Sequence, residues 1–367
     1  MKKLSCLLIF FTLSSCLVPP TPLRLGFIGS TSGRGADLGI GGRNGAILAV
    51  EEFNARGGLQ GHPVELVVQD SGGDVAEILV KGYKELVELG VVAVVGPMTS
   101  AEALTLIPLA NKARLVLMGP TVSTKEVTGI DDYFFRTISA TNFNAQILAR
   151  YIFKTYGFTN FSAILDYSNQ AYTQSWMDDF ETEVKSTGGS IVRSIFVSGG
   201  DSDFGLLAQK LLSNRPQAIG LISNSLDTAI LAKEIRNLNK DILIFTSGWG
   251  ATERLIELSG QYSEGLLAPQ HHDRESKNPL YLDFLSKYLT RFQQDPGYAG
   301  LLSFDATRII LDTLKEGQDS NALKGDLLQR TDFQGSQGPL VFDSFGDAIS
   351  KIQITQIRDG KFRVVGP

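Results

Sequence analysis

Cysteine and histidine are both scarce in this 367-residue chain, with two of the first and three of the second. Both cysteines, Cys6 and Cys16, precede Leu17, so the body of the chain has no disulfide and no thiol site. The histidines are His62, in a Gly-His-Pro turn, and the adjacent pair His271-His272, followed by Asp273. Neighbouring side chains on an extended segment point to opposite sides, so one metal does not readily take both, and no metal site is expected. No Gly-x-Ser-x-Gly elbow and no P-loop occurs. Neither catalysis nor a cofactor is therefore expected. A basic excess is missing as well: the formal charge is −5, which argues against a nucleic-acid partner. After the N-terminal run, no apolar stretch approaches the roughly 18 residues of a bilayer-spanning helix.

What is present begins at the N-terminus. Met1-Lys2-Lys3 precedes an apolar run over 4–13, too short to span a bilayer and of the form of a secretory signal. The run ends in Leu13-Ser14-Ser15-Cys16, which resembles the bacterial lipobox. That resemblance implies a signal peptide over 1–15, lipidation of Cys16, a tether over 16–22, and contact with the membrane through the lipid anchor only. The protein is then extracytoplasmic, either periplasmic or on the cell surface. With 43% hydrophobic residues, the remaining length can build more than one core.

Along the body, short apolar runs alternate with helical patterns. Residues 23–29, 64–69, 91–95 and 115–118 read as strands. Between them, Ala46, Val50 and Phe53 mark a helix stopped by Gly57-Gly58. A second helix opens at Asp74 with Glu77 three residues on, a capping-box pattern, and a third runs from Ser100 to about Ala113. Strands apolar throughout, alternating with helices, imply a doubly wound parallel sheet. The same grammar restarts after Thr141. It gives strands over 161–165, 190–196, 218–222, 242–246 and 265–268 and helices ending near 156, 185, 212 and 238. Helices over 279–292 and 300–314, a strand over 339–342, and a hairpin turning at Asp359-Gly360 complete the chain.

The chain resembles the branched-chain amino-acid binding proteins, a family of type I periplasmic binding proteins. The resemblance rests on Gly26-Phe27-Ile28-Gly29-Ser30, Asn54-Ala55-Arg56-Gly57-Gly58-Leu59, Gln69-Asp70, Val95-Gly96-Pro97-Met98-Thr99-Ser100, Phe135-Arg136-Thr137 and Glu264-Gly265-Leu266, in that order and spacing. It implies an α/β fold of two doubly wound lobes joined by three crossing segments, near 136–141, 266–270 and 342–348. Lobe one would comprise 23–138 plus 269–342, and lobe two 139–268 plus 343–367. It also implies a monomeric receptor that closes on an amino acid or similar small carboxylate and hands it to the permease of an ABC importer.

Ligands of open α/β sheets lie beyond the carboxyl ends of the strands, and the loop from Gly96 to Ser100 fits that rule by itself. A helix N-terminus there suits a carboxylate, with Ser100 adding a hydroxyl; the plain alternative is that Ser100 only caps its own helix. The resemblance implies further contacts. Val122 through its backbone carbonyl and Ser123 through its hydroxyl and N–H would hold the amino and carboxylate groups, Leu38 would meet the ligand side chain, and Tyr172 would come down from the second lobe, with Ser225 or Leu226 on the next loop. The glycines Gly39, Gly41, Gly42 and Gly45 do not make a dinucleotide fingerprint, because Asn44 stands where a glycine would be needed.

Trp249 departs from the family, which has an acid there to neutralise the ligand ammonium. Its ring could face a cation, with Asp227 or Glu253 supplying charge. The ligand could instead lack an amine and be an aromatic or other organic acid stacked on the indole, or Trp249 could simply pack at the hinge. A lipoprotein using this fold to regulate a protein partner, or to sense amides, is the rival reading.

Overall fold

The computed structural model describes residues 21–73, 75–200 and 203–366; the signal peptide, Cys16 and the tether through Pro20 lie outside them. The chain opens with β1 (Leu23–Gly29), α1 (Ala36–Ala55), β2 (Val64–Asp70), α2 (Ala76–Glu88), β3 (Val94–Val95), α3 (Ser100–Ala113), β4 (Leu117–Gly119) and β5 (Phe134–Arg136). The five strands form a wholly parallel sheet in the order β2-β1-β3-β4-β5.

A second unit follows: α4 (Thr141–Tyr156), β6 (Asn160–Asp166), α5 (Gln170–Ser186), β7 (Ser190–Val197), α6 (Phe204–Leu212), β8 (Ala218–Ile222), α7 (Ser225–Leu238), β9 (Leu243–Thr246), α8 (Glu253–Ser259) and β10 (Leu267–Gln270). Its parallel strands run β7-β6-β8-β9-β10, the same winding one unit later. The chain then returns to the first sheet with α9 (Pro279–Phe292), α10 (Gly297–Thr313), α11 (Ser320–Gln329) and the small hairpin β11 (Phe333–Gly335) and β12 (Gly338–Leu340). It ends with β13 (Gln353–Arg358) and β14 (Lys361–Gly366), which extend the second sheet antiparallel beyond β10. Each sheet with its helices makes one lobe of the expected α/β class.

Both faces of both sheets are covered, which is why their central strands are largely apolar, while the edge strands β2 and β7 carry polar residues. On the first sheet, Phe27, Val95 and Met118 face α1, α10 and α11, and Ile28, Val94 and Leu117 face α2 and α3. On the second, Ile164, Leu221 and Ile244 meet α6, α7 and α8, while Phe161, Leu165 and Phe245 meet α4 and α5. The glycines of α1 serve this packing: a Cβ at Gly45 would lie 2.1 Å from Gly300 O, and one at Gly39 1.9 Å from Ser30 O. They let α10 and the loop after β1 approach the helix backbone closely.

Three local expectations need correction. Helix α2 starts at Ala76 with Val75 at its N-cap and no side-chain cap; Asp74, where the sequence suggested a capping box, lies outside the described residues. A capping box sits on α3, between Thr99 and Glu102. Strand β10 continues through Gln270, paired with Gln353, so the expected return to lobe one at 269 falls inside a strand of the second sheet. Helices α8 and α11 escaped the sequence because each buries a narrow apolar edge, Leu255 in one and Leu323 with Leu327 in the other, too little to set a clear period.

The chain passes between the sheets three times, and the crossings are tied to one another. The Arg136 side chain, 1% exposed, pairs with Asp347 at 2.7 Å and donates to Thr124 O and Thr128 Oγ1 at 2.9 and 2.7 Å. Ser350 N donates to Ser139 Oγ at 2.7 Å, and His271 Nδ1 lies 2.8 Å from Ser350 Oγ. One residue from each crossing thus meets in a single hydrogen-bonded cluster.

Candidate functional site

In the order β2-β1-β3, the chain reverses direction of winding between β1 and β3, and in the second sheet between β6 and β8; clefts open at such points beyond the strand ends. The two lobes present these ends to each other. Thr99 caps α3, its Oγ1 accepting from Glu102 N at 3.3 Å while Glu102 Oε2 accepts from Thr99 N at 3.0 Å and Met98 N at 3.2 Å. Ser100 is therefore the first helical residue rather than the cap. Its hydroxyl oxygen accepts instead from Ser123 N and Thr124 N, at 3.4 and 3.2 Å, drawing together the loops after β3 and β4.

A chamber of 30 Å³ lies between the lobes, lined by Leu38, Ser100, Thr121 and Ser123 on one side and Tyr172 and Trp249 on the other, with Asn144 and His271 at the crossings. Trp249 packs against the cores of both lobes, and the Tyr172 ring meets it edge-on at 6.0 Å and 87°. The space holds two or three waters at roughly 10–15 Å³ each. A small organic acid needs several times more, so it enters only when the lobes part. A cavity of 480 Å³ adjoins the chamber through Leu38, Thr99, Asn169 and Trp249 and forms the mouth of the cleft.

No Asp, Glu, Lys or Arg lines the chamber among the described residues. Burial pushes His271 down to about 4 and the Tyr172 phenol up to about 12, the latter against hydrogen bonding to Ser247 and the Trp249 backbone. The lining thus carries no charged side chain at neutral pH among the described residues, and the positive end of α3 opens onto it.

Five of the eight sequence-derived contacts come together here: Leu38, Ser100, Ser123, Tyr172 and Trp249. Two do not, and Val122, expected to act through its backbone carbonyl, keeps its side chain in the core behind the loop with Ile28 and Leu117. Ser225 Oγ donates to Asp37 at 2.8 Å, outside the chamber. Asp227, fully buried, pairs with Arg34 and accepts from Asn224 Nδ2 at 3.0 Å, and Glu253 pairs with Arg274 at 2.5 Å. Neither acid is available to a ligand cation, because each already has its partner. These contacts form a belt that holds the lobes together: Arg34 with Asp227, Asp37 with Ser225 and with Thr252 at 2.7 Å, Ala101 N with Asn169 Oδ1 at 3.0 Å, and Lys125 with Asp179 at 2.7 Å.

The sequence did not point to Thr121, Asn144, Asn169 or Tyr298 as lining residues. It did weigh the two histidines, and they do point apart: His271 faces the chamber, and His272 Nε2 sits 2.9 Å from the Tyr281 hydroxyl in the core.

Two doubly wound lobes clamped over an interlobe chamber define a hinged binding protein. The periplasmic binding protein family matches residues 22–361, and the chain belongs to it. It is accordingly an extracytoplasmic binding protein and not an enzyme. Among relatives, the leucine-, isoleucine-, valine-, threonine- and alanine-binding protein of Pseudomonas aeruginosa is 24% identical over 89% of this chain and 87% of its own length. A branched-chain amino acid transporter substrate binding protein of Streptococcus pneumoniae, solved with isoleucine, superimposes with a TM-score of 0.87 at 23% identity, covering 95% of this chain and 100% of that one. A solute binding protein of an ABC transporter from Rhodopseudomonas palustris, solved with 3,4-dihydroxy benzoic acid, gives 0.84 at 20% identity over 94% and 96%. No helix among the described residues is long and apolar enough to cross a membrane.

Proposed function

We propose that this protein is the solute receptor of an ABC importer and closes on a small carboxylate, an amino acid or another organic acid, in the chamber between its lobes. The observation that carries this is the meeting of Ser100 and Ser123, at the N-terminus of α3, with Tyr172 and Trp249 of the opposite lobe. The first pair offers hydroxyls beside a helix end suited to an anion; the second closes over an apolar body. Relatives of similar fold are named for isoleucine and for an aromatic acid, two ligands that share only the carboxylate and an apolar frame. The lobes divide as 23–138 plus 269–342 against 139–268 plus 343–367, with the strand end at Gln270 as the exception already noted. Lipidation of Cys16 tethers the mature chain, and the closed pair of lobe faces is what the permease engages.

A ligand stabilises the closed state because only there does it touch both lobes. A thermal-shift screen of the unlipidated mature chain tests this. A true ligand at 100 times its dissociation constant adds about 2.7 kcal/mol of stability, and Ser123→Ala weakens its binding about tenfold. Scattering should report a smaller radius of gyration with ligand; an unchanged radius would sink the clamp. If no carboxylate binds, the fold serves a protein partner or an amide instead.

A further inference from the structure

The deepest unexplained polar group in the chamber is the Asn144 carboxamide. Asn144 is 2% exposed and lines the cavity from the first turn of α4. Its Nδ2 lies 3.4 Å from His271 Nε2, and His271 Nδ1 lies 2.8 Å from Ser350 Oγ. With the Asn144 amide oriented so that Nδ2 faces the ring, Nε2 accepts and Nδ1–H donates to Ser350. The imidazole is then neutral, and in this orientation Asn144 Oδ1 is buried without a protein partner. A buried acceptor in that condition costs free energy until something donates to it.

What donates is constrained by charge. The acids nearest the cleft each hold at least one partner, and Glu102, whose Oε1 has none, lines the outer cavity and not the chamber. Glu102 holds the Met98 and Thr99 amides, and Asp166 accepts from Ser168 N at 2.9 Å and Asn224 Nδ2 at 3.0 Å. Asp179 accepts from Lys125 and from Thr141 Oγ1 at 2.8 Å, Asp37 from Ser225 and Thr252, and Asp227 from Arg34. An ammonium in the chamber would lose its hydration with no carboxylate to replace it, which is strongly unfavourable. A hydroxyl carries no such penalty and both donates and accepts, so it meets Oδ1 and tolerates the imidazole beside it.

Resting on the carboxylate reading above, we propose that the chamber selects a carboxylate bearing an uncharged hydroxyl and rejects one bearing an ammonium, with Asn144, oriented by His271, as the specificity-determining residue.

Calorimetric titration with two matched series tests this: 4-methylpentanoate, 2-hydroxy-4-methylpentanoate and leucine; and benzoate, 3- and 4-hydroxybenzoate and 4-(aminomethyl)benzoate. In at least one series the hydroxyl member should bind about tenfold tighter than its unsubstituted parent and about 100-fold tighter than the ammonium member. Asn144→Leu should erase the advantage of the hydroxyl while the parent acid still binds. Asn144→Asp should raise the affinity of the ammonium member. Circular dichroism of both variants checks that they fold.

Tightest binding by the ammonium member overturns the proposal, as does a hydroxyl that changes nothing; in both cases the carboxylate reading survives. Primary amides of the same frames binding as well as the acids, or no member binding at millimolar concentration, overturns both.

Discussion

The two lobes wind their parallel strands in the same order, yet they contribute different chemistry to the chamber. The first lobe brings hydroxyls and a helix end, through Ser100, Thr121 and Ser123, with Leu38 and Tyr298 beside them; the second brings the aromatic pair Tyr172 and Trp249 and the amides of Asn144 and Asn169. Topology fixes where a ligand can sit, at the strand ends beside the winding reversal, and leaves the residues there free to differ. The lobes also differ at their edges. The first sheet ends at β5, while the second gains the antiparallel pair β13 and β14. That addition returns the chain through a third crossing and lets Ser350 tie Ser139 to His271.

The largest effect should come from breaking the tie between the lobes at Arg136. Its guanidinium is buried with Asp347, and Asp347→Ala leaves that charge unpaired. We expect a loss of about 3–5 kcal/mol in denaturant unfolding, with the lobes ceasing to unfold together. An unchanged midpoint and a single transition would show that the crossings do not couple the lobes.

A smaller effect, of at most about 3 kcal/mol, belongs to pH. The His271 folded-state value of about 4 lies below its ordinary 6.5, so the unfolded chain binds the proton first as pH falls. The stability attached to a neutral His271 is fully present above pH 6.5 and is lost between about 6.5 and 4. His271→Gln should therefore reduce the slope of the stability profile across that window, the buried His272 supplying the remainder, and leave it parallel to the parent above it. Equal slopes in both proteins would remove His271 from the hinge account.

The smallest effect should follow Arg34→Ala. Arg34 is one-third exposed and faces Asp227 across the cleft, so solvent screening reduces its worth to about 1 kcal/mol. That loss falls on the closed state alone, and ligand affinity should drop about fivefold with little change in the ligand-free unfolding midpoint. A lowered midpoint with unchanged affinity would place the pair within ordinary folding stability.

Much of the fold was legible in the residues. The Asp359-Gly360 turn formed with φ values of 51° and 66°, and the limits of α6, α9 and β8 follow from apolar period and flanking breakers. Ser100 was legible as a lining residue because a strand end and a helix start mark themselves in sequence, whereas Ser123, Tyr172, Trp249 and Leu38 were implied by the family resemblance. Asp227 was misplaced because an acid two residues into a helix looks the same whether or not an arginine from the other lobe neutralises it. Asn144 and His271 were passed over because their role depends on each other, 127 residues apart.

The sequence by itself determined the class of element at almost every point, the doubled winding and the membership of a binding-protein family, because those depend on local period, turn chemistry and order along the chain. Only the tertiary structure decided which polar groups are already satisfied. Thr99 rather than Ser100 caps α3, Asp227 belongs to Arg34, and Asn144 retains an unpaired oxygen in an uncharged chamber. The physical reason is that hydrogen-bond saturation and charge neutralisation are pairwise properties, and in this protein most of the pairs that decide the site join residues of different lobes or different crossings.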